Sequence, residues 1–198
     1  MKGTIFSIEM LKTEVELTPE EKASFIQTIE DTGRPKDERA YNTDYEDTLF
    51  DLCPEFQKVV DAAIKLAEDE VGLAGLKLDD WEFWAHVHEK NMSTDTHAHH
   101  PDAVSCVYYL NVPEGSGDIV FIPEPNFIPT SMVESVEGEL LMFPGWLKHK
   151  VTRHQGDEKR ISVSFNLYPN EIMNWRLAGR TSLPNNKVEP QEETQDEA

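Results

Sequence analysis

The sequence predicts a mainly antiparallel β fold that follows N-terminal helices. After residue 76, short runs of β-branched and aromatic residues are separated by turn signals such as "PEGSGD", with no helical pattern between them. Before residue 76, apolar residues recur at helical spacing in two segments instead. Helices followed by strands, without alternation of the two, favour a β-sandwich or β-barrel over a parallel α/β sheet.

The first helix is predicted from the segment "LTPEEKASFIQTIEDTG". Thr18 is its N-cap, Pro19 takes the first helical position, and Glu21, three residues after the cap, completes a capping box. Gly33 supplies the stop signal.

A second helix is predicted to begin near Asp51–Pro54 and to run through "EFQKVVDAAIKLAEDEVG", where Gly72 ends it. The polar, turn-rich stretch "RPKDERAYNTDYEDTL" between the two helices is predicted to be a connecting loop.

Five segments of the second half have the composition of strands: "WEFWAHVHE", "AVSCVYYLNV", "DIVFI", "GELLMFPGWLKHKVT" and "RISVSFNLY". We predict that Trp81, Phe83 and Trp84 in the first of them pack in the core or against a helix, with a substrate platform as the alternative. A proline-rich loop, "PEPNFIPTSM", follows the third segment. The predicted organisation is a helical and extended buttress over 1–75, a β core over 76–170 and a C-terminal extension over 171–198.

The charge and composition exclude several classes of function. Lys and Arg number 18 against 38 Asp and Glu, a net charge of −20 that disfavours nucleic acid and anionic membrane as partners. The end of the chain, "KVEPQEETQDEA", has too few apolar residues to fold, so we predict a disordered acidic tail from about residue 185. Cys53 and Cys106 form no Cys-x-x-Cys motif, and no secretory signal or membrane-spanning run is present, which predicts a cytoplasmic protein.

The segment "THAHHPD" concentrates three of the seven histidines of the chain. His97 and His99 share a face if the strand reaches them, and two imidazoles on one face suit a transition metal. His149, in the alternating strand "GWLKHKV", is the candidate third ligand from another strand. The same segment also contains a literal His-x-Asp motif, formed by His100 and Asp102.

Downstream of His149, Arg160 and Ser162 in "RISVSFN" lie two residues apart and therefore share a strand face. A guanidinium and a hydroxyl close to a metal predict a receptor for a carboxylate, to which Tyr109 could add a phenol hydrogen bond. The alternative for Arg160 is an ion pair with one of the many acidic residues.

From "THAHHPDAVSCVYYLNVPEGSGDIVF" to "GELLMFPGWLKHKVTRHQGDEKRISVSFN", the chain resembles the 2-oxoglutarate and Fe(II)-dependent oxygenases, whose core is a double-stranded β-helix of the jelly-roll or cupin type. The string "AVSCVYYLN" is similar to the prolyl-hydroxylase branch. The layout with "FPGWLKH" before "RISVSFN" is similar to a small group of bacterial and phage oxygenases. The resemblance covers about half of the chain.

The resemblance implies that His97 and His149 bind iron and that Arg160, Ser162 and Tyr109 hold the far carboxylate of 2-oxoglutarate. It also implies O₂ as co-substrate, ascorbate as a supporting reductant, and hydroxylation of a C–H bond in a prolyl residue, another peptide side chain or a small metabolite. The usual triad has a carboxylate where this chain has His99. We favour His97, His99 and His149 as the metal ligands over any set that uses Asp102.

Two other functions remain open from the sequence. One is a cupin-like dioxygenase whose three histidines bind iron without 2-oxoglutarate, and the other is a degenerate metal- or carboxylate-binding protein without turnover. His86 and His88 are interpreted as exposed or hydrogen-bonded structural histidines without a downstream arginine partner, with a position near the pocket as the alternative. His154 is interpreted as a surface residue, and Trp146 as either a wall of the metal pocket or a packing residue. Gly115 and Gly117 are interpreted as simple turn residues. An exposed sheet edge could pair two copies of the chain in a homo-oligomer.

Overall fold

The structure is a computed structural model that describes residues 8–37, 40–43, 53–124 and 130–172. Two long helices, α1 (Pro19–Thr32) and α2 (Pro54–Val71), precede most of the strands. The strands are β1 (Leu11–Glu14), β2 (Gly33–Asp37), β3 (Ala40–Thr43), β4 (Leu76–His88), β5 (Thr94–His97), β6 (Val104–Asn111), β7 (Ile119–Phe121), β8 (Ser131–Val133), β9 (Glu139–Pro144), β10 (His149–Val151) and β11 (Arg160–Pro169).

The strands form two sheets in which every pairing is antiparallel. The major sheet has the order β1-β9-β6-β11-β4-β3-β2, and the minor sheet has the order β5-β10-β7-β8. This arrangement confirms the predicted fold class, a double-stranded β-helix core with helices at the N-terminal side.

The start of α1 and the end of α2 have the caps that their sequences predict. The Thr18 backbone N–H donates to the Glu21 carboxylate and the Glu21 N–H donates to the Thr18 hydroxyl, which is the reciprocal capping box. At the end of α2, Gly72 adopts a left-handed conformation with φ 69°, and its N–H donates to the carbonyl of Glu68.

The central strands of the major sheet are buried on both faces. Along β6 and β9, alternate residues such as Tyr108 and Met142 face the helices, and their neighbours such as Val107 and Phe143 face the minor sheet. On the helix side, the ring of Phe56 in α2 lies 5.4 Å from the ring of Phe165 in β11. The helices therefore cover the outer face of the major sheet and leave its inner face for the site.

Some of the predicted connections are strands instead. The predicted loop after α1 contains β2 and β3, which pair with each other and extend the major sheet beside β4. The predicted proline-rich loop contains β8, which pairs with β7. Residues 38–39, 44–52 and 125–129 lie outside the described residues, as does the predicted acidic tail.

No helix within the described residues has the length and apolar character that crossing a lipid bilayer requires.

Candidate metal and carboxylate site

The structure brings His97, His99 and His149 together, although 52 residues separate the first from the last. His97 is the last residue of β5 and is the register partner of His149, the first residue of β10. His99 lies two residues beyond β5, in the loop that leads to β6. One ligand atom from each ring lies within 4.8 Å of the other two, which is the spacing that a single metal ion can bridge.

Local hydrogen bonds fix two of these rings. The Nδ1 of His97 lies 2.8 Å from the carbonyl oxygen of Asp95, and the Nδ1 of His149 lies 2.9 Å from the carbonyl oxygen of Leu147. Since a carbonyl only accepts, each Nδ1 carries the hydrogen and donates it. The lone pair of each ring is therefore on Nε2, the arrangement typical of metal-binding histidines.

Burial keeps the imidazoles in the form that binds metals. Desolvation, together with the neighbouring histidines, lowers the pKa of His149 to about 3, although the Leu147 carbonyl opposes the shift. Desolvation and His97 lower the pKa of His99 to about 4. Both rings are therefore neutral at pH 7, so no proton has to leave them before a metal binds.

The backbone of the turn after β9 holds the loop that carries His99. The N–H of His99 donates to the carbonyl of Gly145 over 2.7 Å, and the N–H of Gly145 donates to the carbonyl of Ala103 over 2.8 Å. A Cβ at Gly145 would lie 2.5 Å from the carbonyl oxygen of His100, so only glycine fits against this loop.

Asp102, the alternative third ligand, is not part of this cluster in the described residues. Its side chain is half exposed, and its carboxylate lies 3.6 Å from the Nδ1 of His100. The arrangement therefore favours the three-histidine set over a set built on Asp102.

Arg160 lies at the start of β11 and is 1% exposed. Its Nε donates to the carbonyl of Gly117 over 3.1 Å, and one terminal nitrogen, NH1, donates to the Ser162 hydroxyl over 3.0 Å. The other terminal nitrogen, NH2, donates to the Ser135 hydroxyl over 3.2 Å. Each of these acceptors is a neutral group.

No carboxylate of the described residues lies within ion-pair distance of the Arg160 guanidinium. The predicted alternative, an ion pair with an acidic residue, is therefore not found in this part of the chain. Burial lowers the pKa of Arg160, and the nearby Tyr109 and Asp118 oppose that shift. Burying a cation without a counter-ion is costly, so the site is electrostatically complementary to an anion.

Tyr109 lies beside this guanidinium, whose central carbon, Cζ, is 5.5 Å from the centre of the phenol ring. Burial raises the pKa of Tyr109 to about 12, so the hydroxyl keeps its hydrogen. That hydroxyl is buried without a hydrogen-bond partner within the described residues. Ser135 is close to it, but the Ser135 hydroxyl already donates to Gly117 and accepts from Arg160. An oxygen atom of a ligand would satisfy the phenol.

One cavity joins the histidines to the arginine. It lies between the two sheets. Its walls include the three histidines, Arg160, Ser162 and Tyr109, together with apolar side chains such as Phe143, Val107 and Ile119. All six residues singled out in the sequence therefore face the same space.

Several residues of the site were missed or interpreted wrongly from the sequence. His88 is fully buried and lies opposite Arg160 in the β4–β11 pairing, which contradicts its interpretation as a histidine without an arginine partner. His86 lines the cavity. Trp84 is buried as predicted and also lines the cavity, where its ring lies 5.5 Å from that of His99. Phe83 packs in the core as predicted. The side chain of Trp81 lies outside the described part.

Three further interpretations change. His154 is fully buried, not on the surface, and its ring nitrogens face the carbonyls of Gly115 and Glu158. Gly117 is more than a turn residue, because its carbonyl accepts from Arg160. Trp146 is 47% exposed and lines a separate surface groove, so it is not a wall of the cavity. Ser135 had no signal in the sequence, because only the folded chain brings it to Arg160.

Comparison with known proteins supports the same family. Residues 82–166 match a family model described as "Putative 2OG-Fe(II) oxygenase". The comparison with curated proteins finds no match.

Three solved structures illustrate the likeness of the fold. The epimerase SnoN from nogalamycin biosynthesis, described as non-heme and alpha-ketoglutarate-dependent, aligns over 81% of this chain and 76% of its own, with a TM-score of 0.65 and 15% identity. A Pseudomonas putida prolyl-4-hydroxylase aligns over 83% of this chain and 94% of its own, with a TM-score of 0.59 and 16% identity. HygX from Streptomyces hygroscopicus, solved with nickel, 2-oxoglutarate and hygromycin B, aligns over 81% of this chain and 83% of its own, with a TM-score of 0.60 and 14% identity.

At these identities the solved structures show a shared fold, and the family match covers the strands that carry His97, Tyr109, His149 and Arg160. Over residues 82–166 the chain is therefore similar to the 2-oxoglutarate and Fe(II)-dependent oxygenases.

Proposed function

We propose that the chain is an Fe(II)- and 2-oxoglutarate-dependent dioxygenase that hydroxylates a C–H bond. The observation that carries the proposal is a single cavity with a three-histidine cluster and, on another wall, a buried arginine without a carboxylate partner among the described residues. A neutral nitrogen cluster suits a divalent transition metal, and an uncompensated guanidinium suits a carboxylate. 2-Oxoglutarate has both a metal-chelating end and a far carboxylate.

In this proposal, Nε2 of His97, Nε2 of His149 and a ring nitrogen of His99 hold the iron. When bound together, iron and 2-oxoglutarate supply the oxidative chemistry, in which O₂ and the co-substrate are converted to succinate and CO₂ while one oxygen atom enters the substrate. The apolar walls of the cavity exclude water from this reaction.

The far carboxylate would be held by hydrogen-bond donors that the protein does not use internally. Four of the five N–H groups of Arg160 have neutral acceptors, and the Tyr109 hydroxyl has no partner within the described residues. Ser162 accepts from Arg160 and keeps its own hydrogen to donate. These donors lie where burial strengthens a charge-assisted hydrogen bond.

For the substrate, we propose a prolyl residue or another amino-acid side chain of a peptide or protein. The "YYLN" string and the likeness to a prolyl-4-hydroxylase support this class. A small metabolite is the alternative, since HygX was solved with hygromycin B bound.

The test is conversion of 2-oxoglutarate to succinate by the purified full chain with Fe(II), O₂ and ascorbate. Wild type should form succinate, Arg160→Gln should lower kcat/KM for 2-oxoglutarate at least a hundredfold, and the exposed Arg153→Gln should match wild type. Absence of succinate with every substrate class tried, from prolyl peptides to free amino acids, would overturn the proposal.

The ligand set needs its own test, because His99 replaces the carboxylate of the usual triad. Metal affinity should fall most in His97→Ala, His99→Ala and His149→Ala, and should be kept in Asp102→Asn and His100→Ala. Loss of affinity in Asp102→Asn with retention in His99→Ala would establish the alternative ligand set.

The three-histidine cluster also favours a second candidate, a protein that binds metal and carboxylate without turnover. Three neutral ligands leave the metal site one charge more positive than the usual triad, so it should hold an anionic chelator firmly. Tight 2-oxoglutarate binding without O₂ consumption would select this second candidate.

A further inference from the structure

His88 lies at a position that links the two halves of the site. It is the last residue of β4, is fully buried and lies opposite Arg160 in the antiparallel pairing of β4 with β11. The NH1 nitrogen of Arg160 is 3.5 Å from the Nδ1 of His88. On the other side of the ring, Nε2 is 3.1 Å from the hydroxyl oxygen of Thr94.

The tautomer of His88 follows from the chemistry of its neighbour. Arginine has donors and no acceptor, so the Nδ1 of His88 must accept the hydrogen bond from Arg160. The ring hydrogen is then on Nε2, from which it is donated to Thr94. Desolvation lowers the pKa of His88 to about 3, and the charges of Arg160 and His154 add to the shift, so the ring stays neutral and keeps the Nδ1 lone pair.

The acceptor at His88 determines which guanidinium hydrogens remain for a ligand. Nε is used by Gly117, and both hydrogens of NH1 are used by Ser162 and His88. One hydrogen of NH2 is used by Ser135. The remaining hydrogen is therefore on NH2, and with the hydroxyls of Tyr109 and Ser162 it forms the donor set for an incoming carboxylate.

Thr94, the hydrogen-bond partner of the Nε2 of His88, lies on β5, the strand that carries His97. Thr94 is the first residue of β5 and pairs with Val151 of β10, while His97 at the end of β5 pairs with His149. Thr94 and Arg160 both line the cavity. The chain Arg160–His88–Thr94 therefore connects the guanidinium on the major sheet to the minor-sheet strand that carries His97.

We propose that His88 is a positioning residue for the carboxylate site: its Nδ1 holds the Arg160 guanidinium in the orientation that presents NH2 to the far carboxylate, while its Nε2–H anchors the ring to β5. The inference rests on the proposed function, because the carboxylate is that of 2-oxoglutarate. His88 acts through Arg160 and does not touch the co-substrate.

Two isosteric substitutions separate the contacts of the ring. In His88→Asn, the amide oxygen takes the place of Nδ1 and keeps the acceptor for Arg160. In His88→Gln, the longer amide reaches the place of Nε2 and keeps the contact with Thr94 but loses that acceptor. We expect His88→Gln to raise the Kd and KM for 2-oxoglutarate about tenfold, as for the loss of one hydrogen bond to a charged group. Its kcat should stay within about twofold, and His88→Asn should keep the affinity of wild type.

The measurements are the Kd of 2-oxoglutarate for the Mn(II)-loaded full chain, KM and kcat for succinate formation, and thermal unfolding of each variant. A merely structural His88 would lower the Tm of both variants and leave the two Kd values equal. Equal Kd values in Asn and Gln variants of a chain that turns over 2-oxoglutarate would overturn the inference and leave the proposed function intact.

The tautomer gives a readout that does not depend on activity. Long-range ¹H–¹⁵N spectra of the apoprotein should show His88 protonated on Nε2 and unprotonated on Nδ1, and Thr94→Val should disturb that signal. A hydrogen on Nδ1 would overturn the inference even in an active enzyme. Failure of wild type to bind 2-oxoglutarate would instead overturn the proposed function and, with it, the carboxylate role of His88.

Discussion

A buried guanidinium without a counter-ion is expensive for the folded chain. Removing a charge from water costs several kcal/mol, and neutral acceptors such as Ser162, Ser135 and the Gly117 carbonyl offset only part of that cost. Buried charges that destabilise the folded apoprotein are typical of binding sites, where a bound ligand of opposite charge compensates them. Arg160 therefore has the physical properties expected of a residue kept for binding.

This property makes the stability of an Arg160 variant informative. Because Arg160→Met removes a buried charge and keeps much of the side-chain volume, we expect the free energy of unfolding of the apoprotein to change by less than about 2 kcal/mol in either direction. Binding of 2-oxoglutarate should be lost. Urea unfolding and a binding titration check both, with Arg153→Met, at an exposed position, as the control. A loss of more than about 4 kcal/mol in Arg160→Met would mean that the arginine is a structural ion.

His88 gives the stability of the apoprotein a specific dependence on pH. Its pKa is about 3 in the folded chain, mainly because of desolvation, against about 6.5 for an exposed histidine. Between these values the unfolded chain binds a proton that the folded chain does not. Stability should therefore fall as the pH falls from about 6.5 toward 3, with a contribution of at most about 1.4 kcal/mol per pH unit from this residue.

The substitution His88→Asn removes that proton uptake. Free energies of unfolding from urea titrations between pH 4 and 7 should show a shallower pH dependence in His88→Asn than in wild type. The control is Gly72→Ala, which changes no titratable group and should keep the slope of wild type. Equal slopes in wild type and His88→Asn would contradict the prediction.

At the scale of elements, the accuracy of the sequence predictions follows the strength of local signals. Helices α1 and α2 have caps and apolar faces within their own residues, and both form as predicted. Strands β2, β3 and β8 have at most five residues each and little apolar alternation. They form because a neighbouring strand supplies hydrogen bonds: β2 pairs with β3, β3 also pairs with β4, and β8 pairs with β7. The residues of these short strands do not themselves specify that pairing.

The site shows the same division between local and long-range information. The pair Arg160 and Ser162 could be predicted because one strand period places both on the same face of β11. The pair His97 and His99 was singled out by the same period, but β5 ends at His97, and the loop bonded to Gly145 places His99. His88 and Ser135 could not, because their closeness to Arg160 depends on strand register and on a loop between β8 and β9. Sequence reasoning therefore found the residues with distinctive chemistry and missed the residues that orient them.

The turn before β7 gives a prediction at this scale. A Cβ at Gly117 would lie 2.0 Å from the carbonyl oxygen of Thr152, so the turn has to move in Gly117→Ala. That movement would withdraw the Gly117 carbonyl from the Nε of Arg160. We expect both a loss of stability and a weaker affinity for 2-oxoglutarate, measured by urea unfolding and a binding titration.

The matched control is Gly72→Ala at the end of α2. Gly72 has φ 69° and no heavy atom within 4 Å of an added Cβ, so alanine there costs only backbone strain of about 1 kcal/mol. It should leave the affinity for 2-oxoglutarate unchanged. If Gly117→Ala kept the affinity of wild type, the turn would have no part in positioning Arg160.

Considered as a whole molecule, the two sheets have different parts in the site. The minor sheet, through β5 and β10, supplies His97 and His149, and the major sheet, through β11 and β6, supplies Arg160 and Tyr109. Neither sheet alone has both the histidine cluster and the buried guanidinium. The net charge of the chain is −20, yet the packing of the two sheets places Arg160, the one buried arginine of the described residues, at the wall of the cavity.

Because the three candidate metal ligands come from two strands and the loop between β5 and β6, an ion bound to them should stabilise the whole fold. A ligand that binds only the folded state adds about 2.7 kcal/mol of stability when its concentration is one hundred times its Kd. For a chain of this size, that corresponds to a rise in Tm of about 5–10 °C.

Thermal unfolding with Zn(II), which needs no anaerobic handling, should show this rise in wild type and in His100→Ala, and should not show it in His149→Ala. Because His149 is buried, its variant must first give a cooperative transition without metal, and the comparison is then between each variant with and without Zn(II). An equal rise in His149→Ala and wild type would show that the ion binds elsewhere, for instance among the many surface carboxylates, and would separate the three histidines from metal binding.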